Sequence, residues 1–386
     1  MVRARWVRIV TVVIGLVSVL VPSAGSAVRT CPRRPANCHL RSISSTEVST
    51  TAGLGRLEIA GDRAAVLQRD EGIVALLDMT DRASPKVIAS YDDGAEDSFD
   101  GDLAFSNDGE WLFYARQTHQ FSKDGIHVLH VDEGNALNLS SYEPAGGAFR
   151  VAYFEQDRAE WVVLLDATHG LVVHQFVRES GTLTPVHTDA LPALKVGGPA
   201  SAGLFIDPKD PITGTPLLYV TTGKTCTPVF DFSDPTAPAL LGAWDKVGLA
   251  EVEVRASASK RTIYAATEYW FDKALKPEVV VLDATKLGRI KQTDRWDLRV
   301  AADDRFRVQG MDLAGRNLQV AHSTMGLVVF DRAGRIVGRL DPRGDVNTGA
   351  GVVGTPYSMD VEFSRGLSYI TDASTGRLTV ARSRRR

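Results

Sequence analysis

Two stretches of this chain share one layout. Residues 73–92 read IVALLDMTDRASPKVIASYD, and residues 227–246 read TPVFDFSDPTAPALLGAWDK. Each is an alternating apolar run, a polar turn with proline, and a second alternating run. Anchored on Asp78, the layout returns at His130, His174, Asp231, Asp283, Asp331 and Ala381. The mean spacing is about 50 residues, a period that signals an array of like supersecondary units. Each unit can bury its apolar face only against its neighbours.

Within a unit the two middle strands are clearest, as in EWVVLLDATHGLVVHQFV and GLSYITDASTGRLTVA. A further strand precedes them and ends in an Asp, Asn or Gly turn, as in GDLAFSNDGE; an outer strand such as KVIASYD follows. Four strands per unit and no amphipathic helix of useful length predict an all-β fold, a β-propeller of seven four-stranded blades. The last unit stops at LTVARSRRR without an outer strand, while residues 39–47, HLRSISSTE, form a strand without a blade. Adding that strand to the last blade closes the ring and removes two open edges. Six or eight blades remain alternatives, because blade 3 is short and blade 4 carries the insertion DPKDPITGTP. Asp234-Pro235 and Pro238 mark the corner into an outer strand, and Tyr91 and Trp244 are placed to pack between blades.

The phrases DFSDPTAPALLGAWD and LLDMTDRASPKVIASYD resemble the repeat of the exported LVIVP-type β-propellers, and FSNDGEWLFYA is similar to a hairpin of lactonase-type seven-bladed propellers. The first resemblance is good at blades 1 and 4, partial at blades 5 and 6, and poor elsewhere. It implies fold and export. The second carries no catalytic residue across.

The chain opens with Arg3, Arg5 and Arg8, then the apolar run Ile9–Val21 and the small-residue exit PSAGSA. That is the pattern of a secretory signal peptide over residues 1–27, whose apolar core is too short for a membrane span of about 20 residues. An uncleaved anchor is the alternative. Net charge is −3 for the whole chain and −6 once the three arginines are removed, without the basic excess of a nucleic-acid binder. In an oxidising compartment Cys31 and Cys38 are the natural disulfide pair within residues 28–38, which leaves Cys226 as a small buried hydrophobe. Residues 39–386 are then one propeller domain.

Catalytic signatures are scarce. GAGVVG at 349–354 matches a phosphate-loop spacing but leads into a strand, whereas a phosphate cradle needs a helix N-terminus. Asn138-Leu139-Ser140 is a formal glycosylation triplet at the start of an outer strand. The remaining candidates are positional. Loops between second and third strands hold Arg69, His119, His169, Lys224, Glu268, Tyr269, Trp270, His322 and Asp372. Starts of inner strands hold Asp102, Arg150, Glu251 and Arg307, with Tyr357 in blade 7. Arg150 and Arg307 suit an anionic group through their forked donors. His119, His169 and His322, helped by Glu268 and Asp372, suit a divalent metal that activates water, although no cofactor is predicted. Tyr269, Trp270 and Phe271 form an aromatic rim, and solvated loop ends are the plain alternative.

Arginine is concentrated at the termini. Arg33 and Arg34 lie near the mature start, and Arg384, Arg385 and Arg386 end the chain. Ring closure brings both ends to one blade, a basic patch suited to an anionic envelope surface or to solvated tails. The leading expectation is an exported binding or scaffold propeller that uses one face for a protein or envelope ligand. The alternative is a lactonase-like or metal-assisted hydrolase at the mouth of the ring.

Overall fold

The computed structural model describes residues 40–69, 71–94, 98–118, 124–189, 202–222, 227–245, 249–267, 278–298, 308–322, 325–340 and 358–383. The signal segment, Cys31, Cys38, Cys226, the GAGVVG stretch and the terminal arginines at 33, 34 and 384–386 lie outside them.

Seven four-stranded antiparallel sheets make a seven-bladed β-propeller. The inner strands, blades 1 to 7 in order, are Leu54–Ala60, Ser98–Phe105, Ala148–Gln156, Ala202–Asp207, Leu249–Ser257, Val308–Ala314 and Ser358–Ser364. Among the described residues the only helical element is a single 3-10 turn at Leu287–Arg289. The ring closes as the unowned strand suggests. Leu40–Glu47 pairs antiparallel with Arg377–Ser383, from Leu40 opposite Ser383 to Glu47 opposite Arg377, and becomes the outer strand of blade 7.

Each outer strand carries one extra residue against the third strand, and the position is equivalent in all seven blades. The extra residues are Ile88, Ser140, Val186, Leu241, Thr293 and Val337 in blades 1 to 6. Ile43 takes the same position in blade 7, so the N-terminal strand reproduces the bulge of the other six. A bulge bends a strand and increases its twist, as the outer rim of a propeller blade requires. The anchor residues fall one place beyond the bulge in every blade except blades 3 and 7, where His174 and Ala381 sit one residue early and are buried.

The apolar core consists of seven clusters, each filling the gap between two neighbouring blades. Phe113, Val162, Leu164 and Phe176 fill the gap between blades 2 and 3; Tyr264, Trp296, Val320 and Phe330 fill that between blades 5 and 6. Tyr91 packs into the blade 1–2 cluster and Trp244 into the blade 4–5 cluster, as their strand positions predict. The blade 4 insertion is used structurally. Arg261 of blade 5, fully buried, donates from Nε and Nη2 to Asp210 of the insertion at 2.9 and 2.5 Å, and from Nη1 to the Ala284 carbonyl at 2.8 Å.

Candidate functional site: the charged bore

Successive residues of a strand face opposite sides, so alternate residues of each inner strand line the axis of the ring. At most such axial positions a neutral side chain would serve. Here the axis is charged, in two tiers. The first holds Arg56 from blade 1, Asp102 from blade 2, Arg150 from blade 3, Glu251 from blade 5 and Asp360 from blade 7. The second, two residues further along the strands, holds Glu58, Glu253, Asp312 and Glu362 of blades 1, 5, 6 and 7.

Glu251 organises the first tier. Its Oε1 accepts from Arg56 Nη2 at 2.6 Å and from Arg150 Nη2 at 2.7 Å. Arg56 also lies 3.7 Å from Asp360 and 4.0 Å from Asp102. The aspartates latch neighbouring blades together. Asp102 Oδ2 accepts the Val151 N–H of the next inner strand at 3.0 Å, and Asp360 Oδ2 accepts the Leu57 N–H at 3.0 Å. Asp312 accepts the Phe363 N–H in the same way.

The second tier has a different character. No hydrogen bond or ion pair from a cation reaches Glu58 or Glu362 among the described residues. Burial, followed by the charges of Asp102, Asp360 and Asp312, pushes the Glu58 carboxyl up to about 8. Burial also raises Asp312 to about 6 and Asp360 to about 7, the latter against the pull of Arg56. Glu253 and Glu362 are raised well above the carboxylate range, first by burial and then by Asp312. These carboxyl groups therefore keep their protons to a higher pH than free carboxylates do, because several ionised carboxylates in one narrow bore repel each other and are poorly solvated. Among the described residues, no three His, Cys, Asp or Glu side chains are grouped to hold a metal ion.

Three of the sequence-derived residues thus meet, Asp102, Arg150 and Glu251. His322 and Asp372 do not join them. They end the second strands of blades 6 and 7 and serve local turns: His322 Nδ1 accepts the Met325 N–H at 3.2 Å, and Asp372 Oδ1 accepts the Ser374 N–H at 2.7 Å. Burial pushes the His322 imidazole down to about 3, so it stays neutral. His169 is on an exposed turn with Nδ1 3.2 Å from Asp166, remote in role from His322. His119, Glu268, Tyr269, Trp270, Arg307, Lys224 and Tyr357 lie outside the described residues. Arg56 and Asp360 were missed by sequence reasoning, as was the whole second tier. A usable signal was present: R-x-E at 56–58, E-x-E at 251–253 and D-x-E at 360–362 place charge on alternate residues of otherwise apolar strands.

No family model matches the chain, and no curated protein matches it. Solved structures do. The chain is similar to Raptor of Chaetomium thermophilum, with TM-score 0.62, 13% identity and 90% of this chain covered, although it spans only 30% of that protein. It is also similar to Sqt1 of Saccharomyces cerevisiae (0.57, 10% identity, 91% of this chain and 100% of that one). A third is BamB of Moraxella catarrhalis (0.52, 12% identity, 90% and 98%). At such identities the likeness is one of fold, and it defines the class as a seven-bladed β-propeller.

Proposed function

We propose that this chain is an exported propeller that acts as a binding or scaffold module for a protein or cell-envelope component. The observation that carries this reading is the state of the bore. Where a propeller enzyme would keep reactive groups available at the axis, the arginines here are engaged by Glu251, Asp102 and Asp360 and the aspartates hold neighbouring blades. Such a network rigidifies a ring and leaves recognition to its faces. The basic opening and apolar run of residues 1–27 support export. The LVIVP-like repeat supports the same location.

The reading is tested with secreted protein. N-terminal sequencing is expected to begin at Val28, and the purified protein is expected to bind an isolated envelope fraction saturably. Lactone and ester panels, with and without zinc, calcium or manganese, are expected to show no turnover above that of Glu251→Gln. Turnover lost in that variant would establish the hydrolase instead.

A further inference from the structure

The turns joining first to second strands and third to outer strands all lie at one end of the ring, because antiparallel strands alternate direction. At that end charge is distributed unevenly. On blades 5 and 6, Lys260 and Arg316 occupy or flank the first–second turns, Lys286 and Arg289 the turn before the outer strand of blade 5, Lys291 the start of that strand, and Arg332 the matching turn of blade 6. All six are exposed. Among the described residues none of them has a carboxylate within 4.0 Å, whereas Arg335 beside them is bound to Asp331 and Arg365 of blade 7 reaches Asp62.

The sector is held rigid by contacts between the blades. Arg255 of blade 5 donates to the carbonyls of Gly315 and Arg316 at 2.8 and 3.3 Å, which fixes the blade 6 turn against blade 5. Burial, with the nearby charge of Arg332, lowers the Arg255 guanidinium, a sign that cations are crowded here. Gly334 sits so close to the Trp296 indole that any side chain at that position would collide with it, so the Arg332 turn is seated on blade 5 as well.

Across the same face blade 2 is acidic, with Asp108, Glu110, Asp132 and Glu133 on the corresponding turns, whereas blade 1 sets Asp62, Asp78 and Asp81 against Arg63, Arg82 and Lys86. A flat anionic lamella pressed on this end would meet the acidic blade and be repelled. A linear polyanion would not, since it can lie along blades 5 and 6 alone.

We propose that the turn face of blades 5 and 6 is a docking track for an anionic polymer of the cell envelope, one that carries phosphate or carboxylate groups along its chain. The proposal rests on the binding reading above and names the face and the chemistry of the partner. Attraction is electrostatic, steers the polymer to one sector of an otherwise acidic protein, and weakens with salt.

The test uses the mature chain and labelled long-chain inorganic polyphosphate, with affinity measured by fluorescence anisotropy across a salt series. Wild-type protein is expected to bind, with affinity falling steeply as salt rises. The triple variant Lys286→Glu/Arg316→Glu/Arg332→Glu is expected to bind at least tenfold more weakly and with a shallower salt slope. Arg158→Glu, on the same end but in blade 3, is expected to bind within twofold of wild type. Thermal melts confirm that each variant is folded, as substitutions on exposed turns should be. Equal binding by wild type and the triple variant overturns the proposal. So does equal loss in Arg158→Glu, or tighter binding to phosphatidylglycerol vesicles than to polyphosphate. If polyphosphate is ignored while the envelope fraction is still retained, the track is refuted and the binding reading stands; if neither is retained, both fall.

Discussion

Replacing Glu251 by Gln is the sharpest probe of the bore, because one oxygen of Glu251 holds two guanidinium groups at 2.6 and 2.7 Å. Each unit-charge contact near 4 Å is worth about 4 kcal/mol at an effective dielectric of about 20. The isosteric amide still accepts hydrogen bonds through its oxygen, and losing the carboxylate relieves repulsion with Asp102, Asp360 and Glu253. These offsets leave a net destabilisation of about 3 kcal/mol, at the lower end of what breaking a buried ion pair costs. With an unfolding entropy of ~2.1 cal/mol/K per residue over ~350 residues, that lowers Tm by about 4 °C. The relief of repulsion matters more when the neighbouring carboxyls are ionised. The loss is therefore expected to be smaller at pH 8 than at pH 6. Melts by circular dichroism at both pH values measure it, with Glu251→Gln/Arg150→Met expected to recover part of the loss. An unchanged or raised Tm at pH 6 would refute the reasoning, since it would mean that the arginines are solvated and the pairs screened.

Stability should also fall as pH rises from about 6.5 to 8. Glu58 and Asp360 have folded values of about 8 and 7, above their unfolded ones, so the stability they contribute is present at low pH and lost as pH climbs through those values. The buried histidines do not interfere in that window. His127 and His174, lowered to about 4, and His322, lowered to about 3, act only below the unfolded value of 6.5, where falling pH costs stability. Urea titrations should show that Glu58→Gln makes the pH dependence less negative throughout the span from about 4.5 to about 8, and leaves its slope below about 4 unaltered. Arg261→Met leaves Asp210 buried without its partner and is expected to cost about 3–5 kcal/mol, with Arg261→Met/Asp210→Asn recovering much of it in the same assay. Deleting residues up to Glu47 exposes the edge of Arg377–Ser383, and size-exclusion chromatography is expected to show self-association that wild type lacks.

Much of the architecture was readable before the structure. A period of about 50 residues, four alternating runs per period and a strand without a blade at residues 39–47 led to seven blades closed by the N-terminus. The site was only partly readable. Asp102, Arg150 and Glu251 were found, but Arg307 and Tyr357 were chosen where the register places Gly310 and Asp360, three residues later in each case. Loops entering inner strands differ in length, so the start of a strand does not show which residue faces the axis. The error at His322 and Asp372 has another origin. Asp372-Ala-Ser374 is a turn-capping pattern, like Asp166-Ala-Thr168, and the polar residue is consumed by the adjacent backbone.

The repeat, the turns and the orphan strand depend on residues a few places apart, and local periodicity and backbone hydrogen bonding fix such features without reference to the rest of the chain. The pairing of Arg56 with Glu251 spans 195 residues. It exists because seven blades close one ring and bring inner strands from its two sides to a common axis. The same closure places cations from turns of separate blades along one sector, so the sequence names some of the charged residues, but which of them meet is decided by the tertiary structure.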